Sequence, residues 1–189
     1  KGAYGQKGFL ASPAVVDVDG DGRVEVFIGG RDGTMRSLDG RDGRVRWELS
    51  GRTGMHASPL ILDTDGDGRK EVAFSESYGN VYLADADTGR LRWTTKLPIG
   101  LMGSMGWYPD ARCLMAGTAW FGHDEEVHCV GVETGEVRWT WRVAQDKISS
   151  GFVVGDLDGS PGAEVVFGTE SGLLVALGVD GAARWTVDL

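Results

Sequence analysis

Apolar residues come in short bursts along this chain, separated by clusters of Gly, Asp and Arg. Near the N-terminus "ASPAVVDV", "VEVFIGG", "TMRSLD" and "RVRWEL" read as four successive strands, because short apolar runs bounded by turn residues suit strands rather than long helices. The connecting "RDG" and "GRDG" are hairpin turns. The pattern then repeats. Trp47, Trp93, Trp139 and Trp185 stand 46 residues apart, closing the phrases "LDGRDGRVRW", "ADADTGRLRW", "GVETGEVRW" and "LGVDGAARW". Ser12, Ser58, Ser104 and Ser150 keep the same period, and bonding backbone at a strand start is the expected job of such a serine. A period in the forties with four short strands per unit is the mark of a propeller blade. The expected fold is therefore all-β, a single β-propeller domain over residues 1–189 with blades at about 1–50, 51–96, 97–143 and 144–189.

Closure is the physical difficulty of four blades. An open arc would leave "AVV" and "FVV" faces uncovered. Either the fourth blade packs on the first through "KGAYGQKGFL", or two chains combine as a homodimer into an eight-bladed ring.

Composition narrows the function. The 31 glycines suit many tight turns, and a net charge of −9 without a Lys/Arg cluster argues against nucleic acid as a partner. No apolar run approaches the length of a membrane span. A chain opening at Lys1 without an apolar leader is expected to be a processed form or a piece cut from something longer.

The most specific chemistry lies in "DVDGDGRVEV" from Asp17 and "DTDGDGRKEV" from Asp63. Asp at alternate positions followed by Gly begins like an EF-hand loop, but position 12 is Ile28 or Phe74, and the Glu arrives early at position 9. The segment "SPAVVDVDGDGRVEVFIGG" resembles the FG-GAP/VCBS repeat, a calcium-binding propeller blade also found in integrin alpha-chain heads. "GNVYLADADTGRLRW" and "GTMRSLDGRDGRVRW" are similar to the PQQ-like (quinoprotein) repeat. The resemblance implies a loop joining a blade's first two strands, with side-chain oxygens from positions 1, 3 and 5, a carbonyl from position 7 and a Glu at position 9. The implied ligands are Asp17, Asp19, Asp21, the carbonyl of Arg23 and Glu25 in one site. Asp63, Asp65, Asp67, the carbonyl of Arg69 and Glu71 form the second. Oxygen-only ligation by several carboxylates favours Ca²⁺. A weaker third copy offers Asp156, Asp158, Ser160 and Glu164, with Pro161 at the place of a turn glycine. The third blade has "WYPDARC" instead. These ions could serve sensing or chemistry, or could simply cancel carboxylate repulsion and pin a loop.

The irregular third blade is the expected recognition surface. Trp107, Trp120 and Trp141 all belong to it, with Tyr108 and Phe121 beside two of them, and so do His123, Asp124 and His128. From Gly117 to Trp139 is 22 residues, against 18 from Gly29 to Trp47, so its hairpin is longer. Aromatics near acids can stack on a sugar or cage a cation, or can simply fill space. His56, on an inner strand, is either a ligand or general base in the channel or a polar lining residue. Cys113 and Cys129 flank the long hairpin and are either bridged or free.

Three functional classes remain open. The first is a calcium-stabilised scaffold holding a protein or carbohydrate, in a secreted, periplasmic or cell-surface setting. The second is a lyase, hydrolase or cyclase built on a histidine near a carboxylate, and the third a quinoprotein oxidoreductase. No nucleophile elbow, zinc-protease or phosphate-loop motif appears in the sequence.

Overall fold

The computed structural model describes residues 8–98, 100, 101, 103, 105–118, 125–143, 146–148 and 150–189. They form four antiparallel four-stranded sheets and no helix. The first two sheets belong to one compact unit, Lys1–Gly100, and the last two to another, Leu101–Leu189.

In the first unit, one sheet runs β1 (Ala14–Val16), β2 (Glu25–Gly29), β3 (Thr34–Asp39) and β4 (Val45–Ser50). The next runs β5 (Leu60–Leu62), β6 (Glu71–Ser75), β7 (Asn80–Asp85) and β8 (Leu91–Lys96). Chain order equals spatial order, the meander of a propeller blade. The inner strands are shorter than the apolar runs suggest, three residues each. Pro13 and Pro59 have no N–H to give a ladder, and the Asp-rich loops begin at Asp17 and Asp63. Between the sheets lies a core of Phe27, Met35, Met55, Val72, Phe74 and Ala84, with Trp47, Leu49 and Ile61 packed on it. Each fully buried Phe or Met there contributes about 1.5–3 kcal/mol.

The second unit repeats the plan. One sheet has β9 (Gly106–Tyr108), β10 (Cys113–Gly117), β11 (Glu125–Gly131) and β12 (Val137–Val143). The other has β13 (Val153–Gly155), β14 (Glu164–Gly168), β15 (Leu173–Leu177) and β16 (Ala183–Asp188). Its core joins Tyr108, Met115, Val127, Phe167, Val175 and Leu177, and Trp141 meets Phe167 edge-on at 5.5 Å between centroids.

The repeated Arg-Trp pair has a structural meaning. Trp47 pairs with Ser37, but Val45 pairs with the adjacent Leu38, so Arg46 is the extra residue of a β-bulge. The same shift leaves Arg92, Arg138 and Arg184 as the extra residue in the other three outer strands. A bulge twists the strand and re-aims the side chain, here towards the loops at one end of the sheet. In the first and third sheets the following Trp docks on the next sheet. Trp47 donates its indole N–H to the Ala86 carbonyl at 2.9 Å, and Trp139 donates to Val179 at 2.9 Å. Its ring lies flat against a turn glycine: a Cβ on Gly89 would stand 2.7 Å from Trp47, and one on Gly181 would stand 2.6 Å from Trp139.

The serines behave as expected where described. Ser58 Oγ accepts from the Ser12 N–H at 3.0 Å, and Ser150 Oγ both donates to the Gly168 carbonyl and accepts from its N–H. Ser104 lies outside the described residues.

Candidate metal-binding loops and the third sheet

The Asp-rich loops join the inner strand to the second strand of their sheets. In the first loop Asp17, Asp19 and Asp21 bring carboxylate oxygens within 4.8 Å of one another, and Asp63, Asp65 and Asp67 do the same in the second. Backbone bonds shape this convergence. Asp17 accepts from Gly20 N at 2.7 Å and from Gly22 N at 2.9 Å, Asp19 from Asp21 N at 3.1 Å, and Asp21 from Arg23 N at 2.8 Å. Gly20 and Gly22 take φ of +77° and +82°, a left-handed backbone that glycine adopts without strain. The N–H groups of Gly22 and Gly20 outweigh desolvation and hold Asp17 below the ordinary Asp value. In the second loop, Asp63 is likewise lowered: desolvation opposes the shift, but the N–H groups of Gly66 and Gly68 prevail.

The Glu at position 9 plays a different part from its three neighbours. Glu25 is buried, and its Oε2 accepts from Val18 N at 3.3 Å while Oε1 pairs with Arg46 at 2.7 Å. Glu71 repeats this with Thr64 N at 2.9 Å and Arg92 at 2.5 Å. The bulge arginine thus reaches back across the sheet to the foot of the loop. Arg46 also meets Asp87 of the second sheet at 2.6 Å, tying the two sheets together. The sequence reading passed over these arginines, although the signal was present in the Arg-Trp pair repeated every 46 residues.

In the fourth sheet the arrangement changes. Arg184 turns to Asp180 at 3.4 Å, and Glu164 joins Asp156 and Asp158 in a cluster within the same 4.8 Å. Its Oε2 still accepts from the loop backbone, at Leu157 N, 3.0 Å. Pro161 has no N–H for the bond that Gly22 and Gly68 give the first Asp. Ser160 contributes its N–H to Asp158 at 2.8 Å, and hydrogen bonding from Ser160 lowers Asp158. Three hard carboxylates flanked by further loop oxygens suit a calcium-sized cation in each of the three loops.

In the third sheet the corresponding turn is Pro109–Arg112, closed by Arg112 N to the Pro109 carbonyl at 2.9 Å. Arg112 takes φ of +48°, the one positive value for a non-glycine among the described residues. The turn grips the fourth sheet: the Tyr108 hydroxyl donates to the Ala163 carbonyl, and Asp110 accepts from Ala163 N at 2.8 Å. Tyr108 is fully buried, and burial, with Glu164 and Asp110 nearby, pushes its phenol up to about 12. It packs core rather than offering a surface. Cys113 and Cys129 are joined in a disulfide across β10 and β11, in the same core.

The remaining candidates separate. His128 is buried on β11, with Nδ1 2.9 Å from Thr140 Oγ1 and Nε2 3.1 Å from Glu126 Oε2, while Glu126 Oε1 pairs with Arg142. Desolvation holds it below the ordinary His value despite Glu126. His56 is half-buried, 3.5 Å from Ser77 Oγ, and desolvation and Arg31 lower it too. Trp107 is half-buried on β9, paired with Leu114. Trp120, Phe121, His123 and Asp124 lie outside the described residues.

The first unit also has a concavity away from these residues. Arg52, Glu76, Tyr78, Asn80, Tyr82 and Lys96 line a cleft of about 590 Å³ at the ends of the outer strands. Glu76, buried at its floor, accepts from Arg52 N at 2.6 Å and Thr53 N at 3.1 Å.

Comparison with known proteins places the blade plan. Europium-containing methanol dehydrogenase superposes with a TM-score of 0.74 at 14% identity, over 93% of this chain and 41% of that one. BamB from Moraxella catarrhalis gives 0.70 at 23% identity, over 96% and 50%, and quinohemoprotein alcohol dehydrogenase from Comamonas testosteroni gives 0.68 at 14%, over 87% and 34%. The chain therefore spans half or less of each of these structures, and at such identities the likeness is one of fold. No curated protein matches its sequence. A family profile described as outer membrane protein assembly factor BamB does match, over residues 8–111, more than half of the chain. The chain belongs to that family of PQQ-like β-propeller repeats.

Proposed function

We propose that this chain is a calcium-stabilised propeller scaffold that holds a protein partner in an oxidising compartment. The carrying observation is the convergence of three carboxylates at the same loop in three of the four sheets. Like charges held this close repel, and a divalent cation removes the repulsion while adding bonds that only the folded loop offers. Each ion would also cancel two charges of a chain whose net charge is −9. Asp17, Asp19 and Asp21 would hold the first ion and Asp63, Asp65 and Asp67 the second, with the Arg23 and Arg69 carbonyls as further oxygens. Asp156, Asp158 and Glu164 would hold the third. Glu25 and Glu71 serve as anchors, neutralised by arginine, that fix each loop to its sheet.

Membership of an assembly-factor family supports a protein partner over a carbohydrate. The cleft at Arg52, Tyr78 and Lys96 suits such a contact, because Tyr and Arg are among the residues that most often anchor protein interfaces. The Cys113–Cys129 disulfide supports a secreted, periplasmic or cell-surface setting.

The experiment is thermal unfolding with millimolar Ca²⁺ and with excess EDTA. A higher melting temperature in Ca²⁺ is expected for the wild type, reduced in Asp19→Ala and Asp65→Ala, whose midpoints in EDTA stay near that of the wild type. Identical wild-type midpoints in the two buffers would sink the calcium reading.

A further inference from the structure

Within each unit, one sheet covers the next through a fixed set of positions. In the first sheet Phe27, Met35, Trp47 and Leu49 share one face and build the core against the second sheet. The covering face of the second sheet carries Ile61, Val72 and Ala84 beside the turn glycine Gly89. Trp139 on Gly181 repeats the junction in the other unit. The molecule thus displays both halves of this joint twice, in contact.

It also displays each half once, uncovered. On the fourth sheet the register places Val166, Leu174, Trp185 and Val187 where the first sheet has Phe27, Met35, Trp47 and Leu49. Trp185 is 38% exposed and Val187 42%, and β16 is exposed along its whole length. The Trp185 indole has no hydrogen-bond partner among the described residues, whereas Trp47 and Trp139 each have one. On the first sheet Val15, Val26 and Leu38 stand where the second has Ile61, Val72 and Ala84. Val15 is 59% exposed. No described atom lies within 4 Å of a Cβ built on Gly43, the counterpart of Gly89.

We infer that the fourth sheet of one copy docks on the first sheet of a second copy, with Trp185 lying on Gly43. The occupant follows from complementarity: donor face and acceptor face are both on this chain, and they match the two halves of a joint it makes internally. Uncovered apolar faces of this kind mark interaction surfaces. A joint between two different faces is heterologous, and two copies related by a twofold axis would satisfy it twice. The contact would be mainly apolar. Arg41 stands where Asp87 meets Arg46 in the internal joint, and it is already paired with Asp39 at 2.7 Å.

Light scattering on the purified chain, in low and in high salt, tests the inference. The expected mass is twice 20.2 kDa, insensitive to salt. Trp185→Asp on the donor face and Val15→Asp on the acceptor face should each shift it towards the single-chain value. Val15 is an exposed position, so that variant should keep the wild-type circular dichroism even if Trp185→Asp does not fold. A wild-type monomer would overturn the inference, whether the chain closes on itself or its faces await another protein. A dimer that survives both substitutions would overturn it as well.

Discussion

The first and third sheets solve one structural problem in opposite ways. In the first, the link from inner to second strand is a charged loop, shaped by aspartates bonded to backbone and anchored by Glu25 to Arg46. In the third, it is the tight turn Pro109–Arg112, and the sheet is held by a disulfide and by Tyr108 buried against the fourth sheet. The difference teaches that the blade plan tolerates either device. The hairpin turns and the bulge recur in all four sheets, and the inner link is free to vary.

That contrast can be tested, and the largest effect should come from the arginines. Arg92→Ala leaves Glu71, fully buried, without its cation, and breaking such a pair costs about 3–4 kcal/mol. The same change at Arg184, whose partner Asp180 is exposed, should cost under about 1 kcal/mol. Chemical denaturation of both variants measures the gap, and equal losses would erase the distinction between the second and fourth sheets. Next comes the third sheet's own device. Cys113 and Cys129 are separated by 16 positions, and removing a bridge over such a loop costs about 3 kcal/mol in the chain-entropy account. Unfolding with and without reductant reads it, and Cys113→Ala/Cys129→Ala should reproduce the reduced curve.

Calcium should contribute slightly less per loop, about 2.7 kcal/mol at a hundred times its Kd. Asp158→Ala should remove the fourth sheet's share while leaving the first two loops responsive, as calorimetric titration would show. The smallest effect concerns pH. His128 and His56 are both held below the ordinary value of 6.5 in the folded chain, so the unfolded chain binds protons more readily. Their contribution is therefore fully present above about pH 6.5 and is lost as pH falls from there through the folded values. His128→Gln should flatten the fall in melting temperature between about pH 7.5 and about pH 5.5, measured in EDTA. An unchanged slope would remove His128 from the account.

Much of this was legible beforehand because it depends on local spacing. The 46-residue period, the turn glycines and the alternating aspartates each act within a few residues of themselves, so they announce four-stranded sheets and acidic loops without reference to anything distant. What lies across space was not legible in that way. Glu25 sits in the acidic run like a ligand, yet Arg46, 21 residues on, claims it through a bulge. Glu164 has the same place in its repeat and joins Asp156 and Asp158 instead, because Arg184 turns elsewhere. Tyr108 and His128 read as surface chemistry among aromatics and acids, but the fold carries both into the interior. The sequence by itself determined the repeat, the strands and where acid accumulates, since those follow from short-range backbone preference and side-chain alternation. Only the tertiary structure decided which carboxylates are neutralised, which aromatics are buried, that the two cysteines are bridged, and that Trp185 and Gly43 stand uncovered, since each depends on what the neighbouring sheet brings within reach.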